Sequence, residues 1–279
     1  MLVTQIMMKQ MKSLLLAAVL SCVAPLSHAA FDHSHSQWDA LLKKHVESVS
    51  NAQATWVDYR GFAAERFALK NYLAALSAVS SSQYDAWTRP QKLAFLINAY
   101  NAFTVELILT EYPHLKSIRD LGSFLRSPWK KRFFTLLGGQ RSLDEIEHGM
   151  IRAPGAFDEP RIHMAVNCAS ISCPALRTEA YVAERLDSQL EDAVAAFLSD
   201  RSRNRASADA LSVSKLFDWY GADFERQAGS VAKWLARYAD RLADDPSLRS
   251  TIAEAKLRVR FLDYDWALND TASRARPQQ

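Results

Sequence analysis

The chain has 279 residues, of which 49% are hydrophobic and 23% charged, with a net charge of +3. That apolar content can bury a full core in one large domain, which excludes a disordered chain. The near-neutral balance gives no electrostatic footprint for nucleic acid, and 8 glycines and 9 prolines argue against a turn-rich β-sandwich.

Residues 13–20 form a short apolar run behind Lys9 and Lys12, and Ser27-His28-Ala29 offers small residues at the −3 and −1 positions of a cleavage site. This pattern predicts a secretory signal peptide over residues 1–29. Its apolar run is shorter than the ~20 residues that span a bilayer. Met11 is a plausible second start. Cys22 would be a lipidation site in an alternative reading, but Leu20 fits that motif poorly. Cleavage after Ala29 removes Lys9, Lys12 and Cys22, lowers the charge from +3 to +1, and leaves two cysteines, Cys168 and Cys173. A periplasmic or secreted protein is expected, with no later segment reading as transmembrane. Two cysteines are too few for a disulfide scaffold.

In chain order, Ala30–Ser36 reads as a flexible start whose His33 and His35 form a weak chelating pair. Trp38–Val49 and Phe62–Val79 have helical spacing, and Ser80-Ser81-Ser82 ends the second. A third helix is predicted from Thr88, a capping residue with Pro90 in the first turn, to Leu109 before Pro113. It is apolar almost all round and should be central. Asn98 and Asn101 lie three apart on one of its faces, where they hold a neighbouring loop's backbone or line a polar site. Arg126–Phe134 packs four cations among three aromatics, as a solvated rim with its aromatics in the core, a receptor for an anionic substrate, or a contact with a membrane headgroup layer. Phe133–Leu143 reads as a hairpin turned by Gly138-Gly139. Ser142 and Glu145 then form a capping box for a short helix that ends at Gly149. His148 falls in its last turn, four residues after Asp144.

Arg161-Ile-His-Met-Ala-Val-Asn-Cys168 reads as a strand running into a turn. Alternation puts Arg161, His163 and Asn167 on one face and Ile162, Met164 and Val166 on the other. Tyr181–Leu198 is an amphipathic helix, and Arg201–Asp209 a solvated surface loop. Leu211–Tyr220 reads as a strand or a helix start. Ser230–Leu242 and Leu248–Leu257 read as helices. Arg258–Trp266 is a late strand carrying Asp263 and Asp265 on one face and Tyr264 and Trp266 on the other. The sum is an α+β fold: a mainly helical single domain with a small antiparallel or mixed sheet.

Five blocks, Phe95–Phe103, Ser117–Gly122, Ser142–His148, Asp158–Pro174 and Leu262–Trp266, together resemble the DUF547 family, a domain of unknown function. Leu96 stands where the family wording has tryptophan, which reads as a packing change. The resemblance implies a domain over 86–269, preceded by an N-terminal helical region over 30–85 and followed by a polar tail over 270–279 that is expected to be disordered. It implies frequent occurrence in exported bacterial proteins and supplies no activity.

Two readings of the chemistry follow from the residues. In the first, the chain is a binding or scaffold domain stapled by a Cys168–Cys173 disulfide, which contributes roughly 2 kcal/mol for so short a loop. Its binding residues would be Asn98, Asn101, Arg161, Asn167, Tyr264 and Trp266, facing a small molecule or a peptide. In the second, Cys168 is the nucleophile of a hydrolase or acyl transferase acting on an amide or ester. His148 or His163 is then the base, and Asp263, Asp265 or an asparagine the orienting group. An extended chain would separate His163 from Cys168 by roughly 16 Å, which favours His148. Cys-x4-Cys is not the thioredoxin spacing, and the zinc-ligand types present have no recognised spacing, so no cofactor or metal is expected.

Overall fold

A computed structural model describes residues 30–49, 53–123 and 126–274. The predicted leader with Cys22, and residues 275–279 of the predicted tail, lie outside these residues. A single compact unit begins at Asp32. Within it the fold is a mainly helical α+β domain with small sheets of two or three strands.

The central helix, Arg89–Leu109, starts as its sequence predicts. The Thr88 side chain accepts from Gln91 N, the Gln91 side chain returns to Thr88 N, and proline occupies the first turn. All residues from Leu93 to Leu109 are buried. By length and composition alone this helix could cross a membrane, but 94% of its apolar window is enclosed by the rest of the protein. It acts as the post around which the other elements pack, chiefly the helices Tyr59–Ala64 and Arg66–Ala78 and the segment Glu145–Ile151. Trp38, stacked on Tyr72 at 5.8 Å, extends this core. A second core lies C-terminal to it, where Phe197, Phe217, Phe224 and Trp234 pack together under Val213.

Several predicted elements change type. Asp32 accepts from Ser34 N and Ser36 N and His35 is buried against the Tyr72 hydroxyl at 2.7 Å. The start is therefore a built cap for the helix Ser36–His45 and not a flexible lead. That helix stops at His45, because Val46–Val49 (β1) pairs antiparallel with Ala54–Val57 (β2). The second predicted helix is broken at Glu65 into Tyr59–Ala64 and Arg66–Ala78.

The hairpin forms from Phe134–Leu136 (β3) and Gly139–Arg141 (β4). Its turn sits on Leu137 and Gly138, with φ of 51° and 75°, one residue before the predicted Gly138-Gly139. The capping box of Ser142 and Glu145 is present, but the segment it opens continues past Gly149 as a π-helix over Glu145–Ile151. Such wide turns are uncommon and concentrate at functional sites.

Residues 161–167 are not a strand. Pro160 fixes the first φ, and Glu159 caps the turn by accepting from Arg161 N, so Pro160–Met164 is a 3₁₀ helix. Both choices disfavour extended backbone. The predicted surface loop 201–209 contains β5 (Arg205–Ala206). Its Arg203 is buried, paired with Asp200 and donating to the carbonyls of Cys173 and Gln53. β5 joins Ala210–Val213 (β6) antiparallel, and β6 joins Arg258–Phe261 (β7) parallel. The late strand ends at Phe261, and 262–266 continue as unladdered chain with alternating exposure. Asp270 accepts from Ala272 N and Thr271–Ser273 form a 3₁₀ turn, so the described part of the tail, 270–274, is ordered.

Candidate functional site

The loop after Met164 is held from both sides by amides. Asn101 Nδ2 donates to Ala165 O at 3.0 Å and its Oδ1 accepts from Asn167 N at 2.8 Å. Asn167 in turn donates to Pro174 O and accepts from Ala169 N. Cys168 sits between these anchors. The next residue, Ala169, has φ of +61°, a conformation that an L-residue with a Cβ adopts at a cost. This kink turns the chain back, and Ser170 bridges to Leu268 on the far segment. Asn98 performs the same anchoring at Tyr181, with both of its hydrogen bonds going to that residue's backbone. The structure therefore makes both central-helix amides loop holders, and neither lines the cavity beside Cys168.

Cys168 and Cys173 are free thiols, so the disulfide expected from the sequence is not formed in this structure. Cys168 is partly exposed and Cys173 buried. Cys168 N donates to Cys173 Sγ at 2.7 Å. Cys168 Sγ lies 3.2 Å from the Ser170 hydroxyl and 3.2 Å from the Tyr264 hydroxyl. Burial alone would raise the Cys168 thiol pKa. Donation by the Cys173 thiol, the two hydroxyls and the Ser170 N–H outweighs it and holds the thiol below its ordinary value. Burial pushes Cys173 well up, and the neighbouring Cys168 adds to this. Burial does the same to Tyr264, reinforced by the negative charge of Cys168. Of this group Cys168 is therefore the thiol that ionises most readily, with Cys173 and Tyr264 beside it holding their protons.

This thiol opens on a cavity of about 230 Å³ whose walls come from distant parts of the chain. One wall is aromatic. Trp266 stacks on Trp219 at 5.6 Å, meets Trp129 edge-on at 5.7 Å, and lies 4.5 Å from Tyr264. The lining also carries the titratable groups Glu147, His148 and His163. The π-helix supplies the first two, and the 3₁₀ turn supplies His163. The chain coils from Pro160 to Met164 in place of the predicted extended strand, and His163 and Cys168 line one cavity.

His163 is fully enclosed. Its Nε2 lies 2.8 Å from Asp223 Oδ2, its ring stacks on Tyr220 at 3.9 Å, and its Nδ1 has no hydrogen-bond partner. Asp223 also receives Arg152 Nε at 2.5 Å. Burial works against ionisation of Asp223, but the His163 N–H and the Arg152 guanidinium outweigh it and hold the carboxyl well below the usual range. An ionised Asp223 takes the proton on Nε2 as a donor, which leaves a lone pair on Nδ1. Burial lowers the His163 pKa, opposed by the Asp223 bond. Glu147 Oε1 is likewise buried with no partner. His148 is more exposed, touches the Arg152 guanidinium through Nδ1, and approaches Asp144 at 3.9 Å.

The remaining predicted site residues divide. Tyr264 and Trp266 line the cavity. Arg161 does not: Glu159, Asp187 and Glu191 surround its guanidinium. Asp263 and Asp265 are exposed and away from the cavity. Asp265 instead folds its own turn by accepting from Ala267 N. The carboxylate on His163 is Asp223, and sequence reasoning missed it together with Glu147. The one available signal for Glu147 was its place beside His148 in a matched block. No group of three metal-ligating side chains occurs among the described residues.

Residues 84–198 match the family model described as "Protein of unknown function, DUF547". Glu147, His148, His163 and Cys168 lie inside that stretch, whereas Asp223 and the Trp219, Tyr264 and Trp266 wall lie C-terminal to it. No curated protein and no solved structure matches the chain.

Proposed function

We propose that this chain is a thiol-dependent hydrolase or acyl transferase acting on an amide or ester, with Cys168 as nucleophile. One observation carries the reading. A thiol with a lowered pKa shares a cavity with a histidine whose Nε2 is fixed by a carboxylate and whose buried Nδ1 has no hydrogen-bond partner. In the proposed cycle the Cys168 proton passes to His163 Nδ1. The sulfur attacks the carbonyl carbon, forming an S–C bond as the carbonyl π pair moves to oxygen. Collapse breaks the C–N or C–O bond, and the leaving group takes the proton from the imidazolium. Water or an acyl acceptor then gives its proton to His163, attacks the thioester and releases the thiolate. Asp223 orients the imidazole and offsets its charge. The aromatic wall would seat the group beside the scissile bond.

A second reading keeps the cavity for binding without turnover. The two thiols hydrogen-bond to each other, so a thiol oxidant could join the sulfurs, with loss of two protons and two electrons. The bridged form would have no nucleophile and would match the scaffold reading. The leader-like residues 1–29 support export to an oxidising compartment, where the bridge would persist.

Intact mass of the purified mature protein after iodoacetamide, with and without prior reduction, tests both. Fast labelling of Cys168 without reduction, with a midpoint below the ordinary ~8.5 of a thiol, is the expected result, and a mass beginning after Ala29 is expected for the exported chain. Two labels appearing only after reduction would favour the binding reading. A slow Cys168 with an ordinary midpoint would remove the nucleophile.

A further inference from the structure

The cavity has a second arm of different character. An open groove of about 970 Å³ runs from it past Ser127, Trp129 and Trp266, residues that line both spaces. Its other lining includes Lys116, Arg119, Arg126 and Lys130, with Asp120 as the one acid. All four cations are exposed, and none has a carboxylate within ion-pair distance among the described residues. Asp120 is already engaged, accepting from Lys116 N and Ser117 N. Arg119 lies over the Trp266 ring at 5.5 Å, at the junction of groove and cavity.

The contrast with other arginines is informative. Arg132 is paired with Glu145, Arg152 with Asp223, and Arg161 with three acids. Unpaired cations gathered along one concave surface focus a positive potential there, and a protein of near-neutral net charge gains no general benefit from such a cluster.

We propose that the substrate of the thiol site carries an anionic group, a carboxylate or a phosphate, held in this groove while the bond to be cleaved lies at Cys168. The inference rests on the thiol reading and adds the substrate class to it. The aromatic wall takes the uncharged part, and the groove takes the charge beyond Trp129 and Trp266.

The test uses C-terminally amidated iodoacetyl-Gly-Gly-X peptides, with X as Glu, phosphoserine or Gln. Each alkylates a thiol by the same displacement of iodide. Rates of Cys168 modification are followed by mass on the full-length protein at one pH and ionic strength. The acidic peptides are expected to react about tenfold faster than the Gln peptide. That ratio should fall towards one in an R126Q/K130Q variant and in 1 M salt. Because the ratio is read within each protein, a general change in Cys168 reactivity cancels. A faster Glu peptide assigns the groove to carboxylates, and a faster phosphoserine peptide to phosphates. Equal rates for all three peptides on a reactive Cys168 would overturn the proposal and leave the thiol reading standing. No reaction with any peptide would overturn the thiol reading itself.

Discussion

Asn98 and Asn101 are enclosed in the core, as are His163 and Glu147, but the two pairs treat their polar atoms differently. Each amide on the central helix gives and takes one hydrogen bond, all to backbone, at Tyr181 and at Ala165 and Asn167. Across the cavity, His163 Nδ1 and Glu147 Oε1 have no partner at all. An unsatisfied buried polar atom costs roughly 1–3 kcal/mol, so a fold retains one where something else completes it. At the cavity the satisfied groups shape the loop and the two unsatisfied ones stand where a substrate or proton would enter, although Trp38 Nε1 and the Tyr181 hydroxyl are left unpaired away from it.

The largest effect should come from cutting the pair behind His163. Asp223→Asn leaves the buried His163 and the half-buried Arg152 without their carboxylate, and breaking such a pair costs about 3 kcal/mol. Urea unfolding at neutral pH measures this. The pH dependence sharpens it, because both groups bind fewer protons in the folded state than in the unfolded state. The contribution of His163 is present above ~6.5 and lost as the pH falls through that value, and that of Asp223 is present above ~4 and lost below it. Asp223→Asn should therefore flatten the acid limb below ~4, where Asp223 titrates, and leave the His163 part between ~6.5 and ~4 in place or deeper, because the Asp223 bond supports the His163 pKa. His35, pushed down to about 4 by burial, titrates in the same window, so the difference between wild type and variant is the quantity to read. An unchanged acid limb would detach Asp223 from His163.

The amides break the comparison in a different way. Asn101→Ala and Asn98→Ala each leave two backbone groups unpaired, and each should cost about 3 kcal/mol. Only Asn101→Ala should also slow Cys168 alkylation, since it alone holds the loop entering Cys168. Equal slowing by both variants would mean that the loop is set by global stability and not by Asn101.

How much of this was legible in the sequence follows from the range of the forces involved. The central helix, its cap, the Ser142–Glu145 box and the hairpin are local, and each was readable to within two residues. Cys168, His163, Tyr264 and Trp266, which line one cavity, were picked out because reactive and aromatic types stood out in short blocks. Asp223 was not found, because 60 residues separate it from His163 and nothing local marks it. Asp263 and Asp265 were chosen by chemical type alone, and tertiary structure left them in solvent. The 161–167 strand failed because alternation is compatible with a buried coil, and Pro160 with the Glu159 cap decided for the turn. Arg203 shows a further limit. Its Arg-Ser-Ala setting reads as solvated, but its guanidinium ties Cys173 O to the rest of the fold.

A smaller effect should be seen at Cys173. If its thiol donates to the Cys168 thiolate, Cys173→Ala removes one donor and should raise the alkylation midpoint of Cys168 towards the ordinary value, with little change in stability. Tyr264→Phe should move it in the same direction. A midpoint unmoved by either variant would assign the lowered thiol to Ser170 alone.

The smallest effect is predicted at Ala169, where two opposing terms nearly cancel. Its φ of +61° suits glycine, and relieving that strain by Ala169→Gly gains about 1 kcal/mol. The side chain is buried, however, and deleting its methyl group loses about 0.8 kcal/mol. Stability should therefore change by less than about 1 kcal/mol. Reactivity should change more, because glycine frees the backbone that presents Cys168. The expected signature is an unfolding midpoint close to wild type with slower alkylation of Cys168. If alkylation and stability are both unaltered, the anchors at Asn101 and Asn167 position the thiol without help from the strained residue.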